Sequence, residues 1–291
     1  MQLSAHSPAK INLFLNITGK RPNGYHDLET VFLPVEGLYD TITLTKAKAG
    51  ISISSNSGLM PLDSNNLCWK AAELFSQESG ITPEWSMDIQ KHIPIAAGLG
   101  GGSSDAATVL LLLNRMYGNP LSDDVLHKLA YSLGADVPFF LNPELSSATG
   151  IGETLSPVEG PESCPVILIN PLFPVSAAWT YTHTPSERWN GSLYSFNDFL
   201  THLKSCSLEK ISQYTYNILE AAVLDKFPLV QMIIDCLKEN GALCAHVSGS
   251  GPTVYALCPE ERQPVVKEII AKTFGTKIWT YYSIDSDLNE Q

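Results

Sequence analysis

Residues 94–114 read PIAAGLGGGSSDAATVLLLLN, and this stretch brings four glycines directly before an apolar segment. The glycines are Gly98, Gly100, Gly101 and Gly102. The apolar residues that follow recur at helical spacing and predict a helix over residues 104–117, although glycine is, after proline, the residue that a helix tolerates least. One or two glycines would suit a tight turn, but four among five residues are unusual for that purpose. The glycines therefore indicate a second role besides chain reversal.

A glycine-rich loop before a helix is one way in which proteins bind phosphate groups. Without a Cβ atom the backbone N–H groups can approach an anion, and the helix start adds unpaired donors and a positive dipole end. Ser103 and Ser104 would add hydroxyl donors or cap the helix. A dinucleotide-binding fingerprint fits poorly, because the sixth position counted from Gly98 is Ser103. A Walker A loop fits poorly too, because the only Gly-Lys pair, Gly19-Lys20, lacks the upstream glycine.

Composition and charge narrow the class of protein. The 291 residues are enough for two domains, and 44% of them are hydrophobic and 16% charged, as in an ordinary globular protein. The formal net charge of -12 argues against non-specific binding to nucleic acid or to an anionic membrane. No apolar run approaches the length of a membrane span, and the six cysteines show no zinc-binding spacing. We expect a cytoplasmic protein with neither nucleic acid nor a membrane as its partner.

The order of strand-like and helical patterns is typical of an α+β protein. Strand-like runs separated by turns dominate the first 60 residues, and helical patterns follow at residues 65–80 and 122–134. Around residues 149–165 the composition shifts to Gly, Pro, Ser and Glu, which favours a domain boundary. We predict one domain over residues 1–153 and a second over residues 154–291, with largely antiparallel strands in each.

Three motifs occur in the order in which the GHMP kinases carry them. The central PIAAGLGGGSSDAA resembles the P-x-x-x-G-L-x-[GS]-S-S-[AD]-A signature of this superfamily, which includes galactokinase, homoserine kinase and mevalonate kinase. SPAKINLFLNI at residues 7–17 and HVSGSGPTVYAL at residues 246–257 resemble its other two motifs. The resemblance implies two α+β domains, an N-terminal nucleotide-binding domain like domain 2 of ribosomal protein S5 and a C-terminal ferredoxin-like domain. It also implies ATP and Mg²⁺ as cofactors.

The chain resembles most closely one branch of the superfamily, whose substrate carries a cytidine diphosphate group. The resemblance lies in PAKINLFLNITGKRPNGYHDLETVF (8–32), in the triple glycine and in LGADVPFFL (133–141), and the Gly-Tyr-His turn at residues 24–26 is typical of this branch. It implies an enzyme that phosphorylates the 2-hydroxyl of 4-diphosphocytidyl-2-C-methyl-D-erythritol in the non-mevalonate isoprenoid pathway. Such an enzyme would be a monomer or a weak homodimer.

Phosphoryl transfer to an alcohol requires that phosphate charge is screened, that the hydroxyl is aligned and that a group accepts its proton. The resemblance assigns the catalytic roles to Asp136 as the base and Lys10 as the cation that favours its ionised form. From the residues alone, an Asp before Val-Pro is often a turn residue, and a Lys at a strand start is often solvated.

The resemblance also assigns residues to ATP. They are Asn66, Leu67, Pro94, Ile95, Ala96, Ala97, Gly98, Leu99, Gly100, Gly101, Gly102, Ser103 and Ser104. Asn66 and Leu67 would contact the adenine, although Asn66 could equally cap the helix that follows. Asp105 is expected in the first helical turn, where it points away from the phosphates and its negative charge interacts favourably with the helix dipole. A role of Asp105 near Mg²⁺ is the alternative. The histidines show no metal-binding spacing, so the metal ligands are unknown.

A further set of residues is assigned by the resemblance to the second substrate. They are Asn12, Tyr25, His26, Asp136, Tyr181, Gly249, Ser250 and Gly251. Tyr25 and Tyr181 would stack on the cytosine, and His26 would hydrogen-bond its edge. The alternative for the Asn-Gly turn is a simple hairpin flanked by Tyr25 and His26. The aromatic residues of the stretch at 182–199 are interpreted as packing residues.

Two other functions remain open at this point. The chain could be another GHMP kinase, with a mevalonate-like or homoserine-like substrate, although the Gly-Tyr-His turn argues against that reading. It could also be a nucleotide-binding protein without catalysis, which the presence of both Lys10 and Asp136 disfavours.

Overall fold

The structure is a computed structural model that describes residues 1–161, 164–191 and 193–288. Among these residues the strands are β1 (Gln2–Lys20), β2 (His26–Lys46), β3 (Gly50–Ser55), β4 (Glu84–Gln90), β5 (Ser146–Thr149), β6 (Thr154–Pro157), β7 (Val166–Asn170), β8 (Tyr216–Asn217), β9 (Cys244–Val247), β10 (Val254–Leu257) and β11 (Trp279–Tyr282). The α-helices are α1 (Leu67–Ser79), α2 (Gly101–Met116), α3 (Asp123–Leu133), α4 (Ala177–Thr182), α5 (Phe196–Leu203), α6 (Leu208–Tyr214), α7 (Glu220–Lys226), α8 (Pro228–Glu239) and α9 (Gln263–Phe274). Short 3-10 helices cover Pro138–Leu141, Ser186–Arg188, Glu260–Arg262, Gly275–Lys277 and Ser283–Leu288.

The chain divides into two compact units. The first comprises Met1–Ala9, Leu38–Ile95 and Gly100–Pro143, and the second comprises Lys10–Gly37, Ala96–Leu99 and the described chain from Glu144 onward. Each unit therefore draws on several separate segments of sequence. The domains expected over residues 1–153 and 154–291 stay a prediction, and the second of them includes residues 162, 163, 192 and 289–291, which lie outside the described residues.

In the first unit a sheet packs against helices. The C-terminal half of β2 pairs antiparallel with β4, from Thr41 opposite Gln90 to Lys46 opposite Trp85, and β3 pairs parallel with β4. Alternate residues of β4 are buried, as expected for a strand with one face on a core, and Trp85 contacts Phe75 of α1 edge-on. Helices α1, α2 and α3 pack against one another. The helices predicted at residues 65–80 and 122–134 are confirmed as α1 and α3.

In the second unit, residues of β1 and β2 pair with later strands, and a separate antiparallel sheet has its own core. Residues Phe14 and Leu15 of β1 pair parallel with β8, and residues 30–32 of β2 pair antiparallel with β5. The separate sheet has the order β11-β7-β10-β9, with all pairs antiparallel. Its core includes side chains from α7, α8 and α9. The expected antiparallel pairing thus dominates, with β3–β4 and β1–β8 as the parallel exceptions.

Helix α2 begins at Gly101, three residues before the predicted start at residue 104. Gly100 is its N-cap and takes the left-handed conformation, with φ of 75°. The prediction placed the start later because glycine has low helix propensity, but Gly101 and Gly102 adopt helical geometry here. Among the described residues no helix combines the length and the apolar character that crossing a membrane requires.

Candidate active site

The glycine stretch ends in a helix start that is suited to an anion. Gly98 and Gly100 have φ of 78° and 75°, so the chain turns sharply before α2. The first N–H groups of the helix, from Gly101 onward, have no intrahelical acceptor and lie at the positive end of the helix dipole. Neither serine caps the helix, because Ser103 and Ser104 lie inside it, and that alternative is wrong. Backbone donors at this point can therefore bind phosphate.

The glycines of this stretch are needed for different reasons. A Cβ atom built on Gly98 would lie 2.1 Å from the carbonyl oxygen of Ser248, so the fold itself excludes a side chain there. At Gly101 a Cβ would lie 3.1 Å from Cγ2 of Ile93. At Gly102, by contrast, a Cβ would meet no atom within 4 Å. The packing of the protein thus explains Gly98 and leaves the glycine at position 102 unexplained.

Lys10 is held inside the second unit by its neighbours on β1 and β2. Its side chain is buried, with only 4% of the residue exposed, and Nζ donates to Oδ1 of Asn12 at 2.8 Å. Nζ also lies 4.9 Å from the ring centroid of Phe32. Asn12 donates in turn to Oγ1 of Thr30 at 2.8 Å, and Thr30 donates to the carbonyl of Phe14 at 2.7 Å. This chain of hydrogen bonds makes Lys10 a fixed, buried cation, unlike a solvated lysine at a strand start.

The turn at residues 248–251, between β9 and β10, lies against the glycine stretch and Asn12. Oγ of Ser248 donates to the carbonyl of Gly98 at 3.0 Å, and the N–H of Gly251 donates to the carbonyl of Ser248 at 2.9 Å. A Cβ on Gly249 would lie 3.3 Å from Oδ1 of Asn12. The backbone N–H of Lys10 donates to the carbonyl of Leu99 at 2.9 Å. Parts of all three motifs therefore meet within the second unit.

Two aromatic side chains contact His26, the first residue of β2. The ring of His26 stacks on Tyr181 with centroids 5.3 Å apart, and Trp189 contacts it edge-on at 5.4 Å. Tyr25 does not join this group and is 57% exposed. Burial, with a smaller contribution from Lys20, lowers the pKa of His26, so its imidazole is neutral at pH 7. The structure thus brings His26 and Tyr181 together and leaves Tyr25 facing solvent.

Trp189 has a position near His26 that the sequence did not reveal. It packs on a small buried cluster that includes Leu15, Ile17 and Leu28, so a packing role is confirmed. Its Nε1 is buried without a hydrogen-bond partner among the described residues. No spacing or motif in the surrounding stretch would have linked this tryptophan to His26.

Asp136 follows α3 in a short turn of the first unit. Helix α3 ends at Leu133, the N–H of Val137 donates to the carbonyl of Gly134 at 3.1 Å, and a 3-10 helix begins at Pro138. Proline is well suited to this position, because its ring fixes φ at the value that a helix start requires. Asp136 is half-buried in this turn. Its catalytic role stays a prediction, as does that of Lys10.

Asn66 caps helix α1. Its Oδ1 accepts from the N–H of Cys68 at 2.8 Å, and its Nδ2 donates to the carbonyl of Pro61 at 2.7 Å. The capping alternative is therefore confirmed. Both polar ends of the side chain are used by the protein itself, and the contact of Asn66 and Leu67 with adenine stays a prediction.

A buried ion-pair cluster that the sequence did not predict lies beside the start of α2. Nζ of Lys91 donates to a carboxylate oxygen of Asp40 and to Oδ2 of Asp105, the latter at 2.7 Å. The other oxygen of Asp40 accepts from the N–H groups of His92 at 2.6 Å and Ile93 at 2.9 Å. Burial raises the pKa of Asp105 to about 7, against the opposing effect of Lys91.

The expected position of Asp105 is therefore wrong. It lies in the second turn of α2, is buried, and is held by Lys91 instead of interacting with the helix dipole. Asp40 and Asp105 lie 51 and 14 residues from Lys91 in sequence and on different elements, so their pairing with Lys91 depends on the tertiary fold. No group of three or more His, Cys, Asp or Glu side chains among the described residues could hold a metal ion.

Comparison with known proteins places these features in a family. The family profile "GHMP kinases N terminal domain" matches residues 66–143, and "GHMP kinases C terminal" matches residues 204–276. A 4-diphosphocytidyl-2-C-methyl-D-erythritol kinase of Chlorobium chlorochromatii is 39% identical over 95% of this chain and 96% of its own length. One from Clostridium kluyveri is 40% identical over 85% of this chain and 88% of its own length.

Solved structures agree with this assignment. A crystal structure of 4-(cytidine 5'-diphospho)-2C-methyl-D-erythritol kinase matches with a TM-score of 0.80 and 30% identity, covering 96% of this chain and 98% of that one. Homoserine kinase from Cytophaga hutchinsonii matches with a TM-score of 0.77 over 97% of this chain and 94% of that one, but at 18% identity it shows the shared fold alone. The chain therefore belongs to the 4-diphosphocytidyl-2-C-methyl-D-erythritol kinase family of the GHMP kinases.

Proposed function

We propose that this chain transfers the γ-phosphoryl group of ATP to the 2-hydroxyl of 4-diphosphocytidyl-2-C-methyl-D-erythritol, here called the cytidine substrate. The products are the 2-phosphate and ADP, in the non-mevalonate route to isoprenoid precursors. The observation that carries the proposal is the meeting of Lys10, Asn12, Gly98 and the turn at residues 248–251 within one unit. Kinship with kinases named for the cytidine substrate, at about 40% identity, selects this substrate among those of the superfamily.

The start of α2 is where we place the ATP phosphates. The protein carries a net charge of -12, so phosphate must be bound by local donors, and the first N–H groups of the helix supply them. The open space around Gly102 leaves room for a phosphate group to approach the backbone. Lys10 would add the positive charge that stabilises the transferred group as the bond to ADP breaks.

Mg²⁺ would be bound mainly through the phosphates of ATP, where it neutralises charge on the transferred group. Asp105 is a weaker candidate ligand, because Lys91 binds its Oδ2 at 2.7 Å, although its Oδ1 has no hydrogen-bond partner among the described residues. Ser103 and Ser104 are better candidates. Oγ of Ser104 is buried and has no hydrogen-bond partner among the described residues, so its lone pairs are not used by the protein itself.

Asp136 is the base that we propose for the acceptor hydroxyl. As the 2-hydroxyl oxygen bonds to the γ-phosphorus and the bond to ADP breaks, the hydroxyl proton passes to the carboxylate of Asp136.

His26 would hydrogen-bond the edge of the cytosine as a neutral imidazole, and the rings of Tyr25 and Tyr181 would stack on the base. Asn12 and the backbone of Gly249, Ser250 and Gly251 would bind the rest of the cytidine substrate. We further propose a cytoplasmic enzyme that acts as a monomer or weak homodimer.

The test is ADP release from Mg-ATP with and without the cytidine substrate, in the wild type and in the Asp136→Asn variant. We expect ADP release that requires the cytidine substrate, and in the variant we expect kcat to fall by about 100-fold or more. Asp124→Asn is the matched control, because Asp124 is an exposed aspartate of the same unit, in the first turn of α3. Release with mevalonate or homoserine instead would favour another GHMP kinase. ATP binding without any release would favour a non-catalytic protein.

A further inference from the structure

Asn217, at the end of β8, hydrogen-bonds to two backbone carbonyl groups at the start of the turn at residues 248–251. Its Nδ2 donates to the carbonyl of Val247 at 2.7 Å and to the carbonyl of Gly249 at 2.8 Å. Its Oδ1 accepts from the N–H of Leu219 at 2.9 Å. The side chain is buried, with 4% of the residue exposed, and every one of these partners is a backbone group. The amide therefore fixes the distance between two carbonyl groups at the start of the turn.

The same turn is in tight contact with the glycine stretch. Ser248, between the two carbonyl groups that Asn217 binds, donates from Oγ to the carbonyl of Gly98 at 3.0 Å. Even a Cβ on Gly98 would be too close to the carbonyl oxygen of Ser248. Because no space separates the two segments, the turn cannot move towards Gly98 without moving the chain there, two residues before the N-cap of α2, and a movement away from Gly98 would stretch the hydrogen bond from Ser248.

Asn217 is itself anchored to the strand that carries Lys10 and Asn12. It pairs with Leu15 of β1, and the N–H of Ile218 donates to the carbonyl of Leu15 at 2.9 Å. The turn is therefore positioned relative to β1 through Asn217, as well as through the close approach of Gly249 to Asn12.

Glu220, three residues after Asn217, fixes the other polar group of Val247. Its Oε2 accepts from the N–H of Val247 at 2.7 Å, and both carboxylate oxygens lie 3.2 Å from Nδ1 of His246. The N–H and the carbonyl of Val247 are thus both bound by side chains of the segment at residues 217–220. This segment holds the last residue of β9 in place before the turn begins.

We propose that Asn217 is a positioning residue, which holds the turn at residues 248–251 against the glycine stretch and thereby sets the affinity for ATP. The inference deepens the proposed function and rests on its assignment of ATP to the glycine stretch. Asn217 lies in a part of the chain where the sequence carries no recognisable motif, so only the structure reveals its contacts.

The test compares Asn217→Asp with Asn114→Asp. Each change replaces the NH2 group of a buried amide with an oxygen. Asn114 is 5% exposed and binds the N–H and the carbonyl of Leu121, both at 3.0 Å, but it lies near the far end of α2, about 20 Å along the helix from Gly101. Titration calorimetry with Mg-ATP, without the cytidine substrate, measures the dissociation constant, and thermal unfolding shows that each variant is folded at the assay temperature.

We expect the dissociation constant for ATP to rise about tenfold or more in Asn217→Asp and to stay within about twofold of the wild type in Asn114→Asp. If Asn217→Asp does not fold, Asn217→Ser removes the same two donors without adding a charge. An unchanged dissociation constant in the Asn217 variants, or an equal loss in Asn114→Asp, would overturn the inference. A wild type that binds ATP but releases no ADP with the cytidine substrate would contradict the proposed function alone. A wild type that binds no ATP would overturn both.

Discussion

Replacing Gly102 with alanine should make the protein more stable and a poorer kinase at the same time. Gly102 lies in the first turn of α2, and a Cβ there would meet no atom within 4 Å. Alanine is favoured over glycine in a helix by up to about 1 kcal/mol, so we expect the free energy of unfolding to rise by about 0.5–1 kcal/mol. In the absence of a ligand, nothing in the surrounding packing opposes this gain.

The same substitution should lower the affinity for ATP. If a phosphate oxygen approaches the N–H of Gly102, an added methyl group occupies the space that the phosphate requires. Loss of one hydrogen bond to a charged group is worth about 1.5–3 kcal/mol, so the KM for ATP should rise about 10- to 100-fold. Urea unfolding measures the first quantity, and ADP release at a saturating concentration of the cytidine substrate measures the second.

Gly98→Ala is the contrasting variant. Its Cβ would lie 2.1 Å from the carbonyl oxygen of Ser248, and its φ of 78° costs alanine about 1–2 kcal/mol, so this variant should lose stability and activity together. A Gly102→Ala protein that gains stability and keeps the wild-type KM for ATP would refute the reasoning. The open start of α2 would then not be the phosphate site.

Three further predictions concern Lys10, Asp105 and His26. Lys10→Met keeps a long apolar stem but removes the buried charge, so kcat for ADP release should fall by about 100-fold or more, and an unchanged kcat would count against Lys10. Because burial raises the pKa of Asp105 to about 7, its carboxyl is harder to ionise in the folded state, and the free energy of unfolding should fall as pH rises from about 4 to about 7. Urea unfolding at several pH values should show a smaller fall in Asp105→Asn, and an equal fall would contradict this origin. Because burial lowers the pKa of His26 below its ordinary value, the KM for the cytidine substrate should stay constant near pH 7 and rise only at more acidic pH, and this rise should be absent in His26→Gln. A wild-type pH profile without that rise would argue against the neutral imidazole.

The features that the sequence predicted are those that depend on contiguous residues. The glycines before α2, the lysine on β1 and the glycine turn between β9 and β10 are each short motifs whose backbone geometry follows from local residue types. Helices α1 and α3 were predicted for the same reason, since hydrophobic periodicity and flanking glycines are local signals. Local patterns of this kind can be recognised in the sequence without knowledge of the tertiary fold.

The features that escaped prediction depend on residues that are distant in sequence. Asp105 was expected to point away from ATP in the first helical turn, because a carboxylate directly after the phosphate-binding serines is unfavourable beside ATP, whereas its actual partner, Lys91, lies on a different segment. Trp189 and Asn217 stand in stretches without periodic patterns, and their contacts are with β1, His26 and the turn after β9. No local propensity encodes such contacts, so they emerge only when the chain is folded.

The hydrogen bond from Ser248 to Gly98 has a consequence for how the two substrates would influence each other. This bond joins the turn that we assign to the cytidine substrate to the stretch that we assign to ATP. A ligand that makes one segment more rigid therefore reduces the conformational entropy that the protein loses when the other ligand binds. Thermodynamic linkage makes this effect reciprocal: whatever factor ATP applies to the affinity for the cytidine substrate, the cytidine substrate applies to the affinity for ATP. Through this contact, two binding equilibria become a single coupled one.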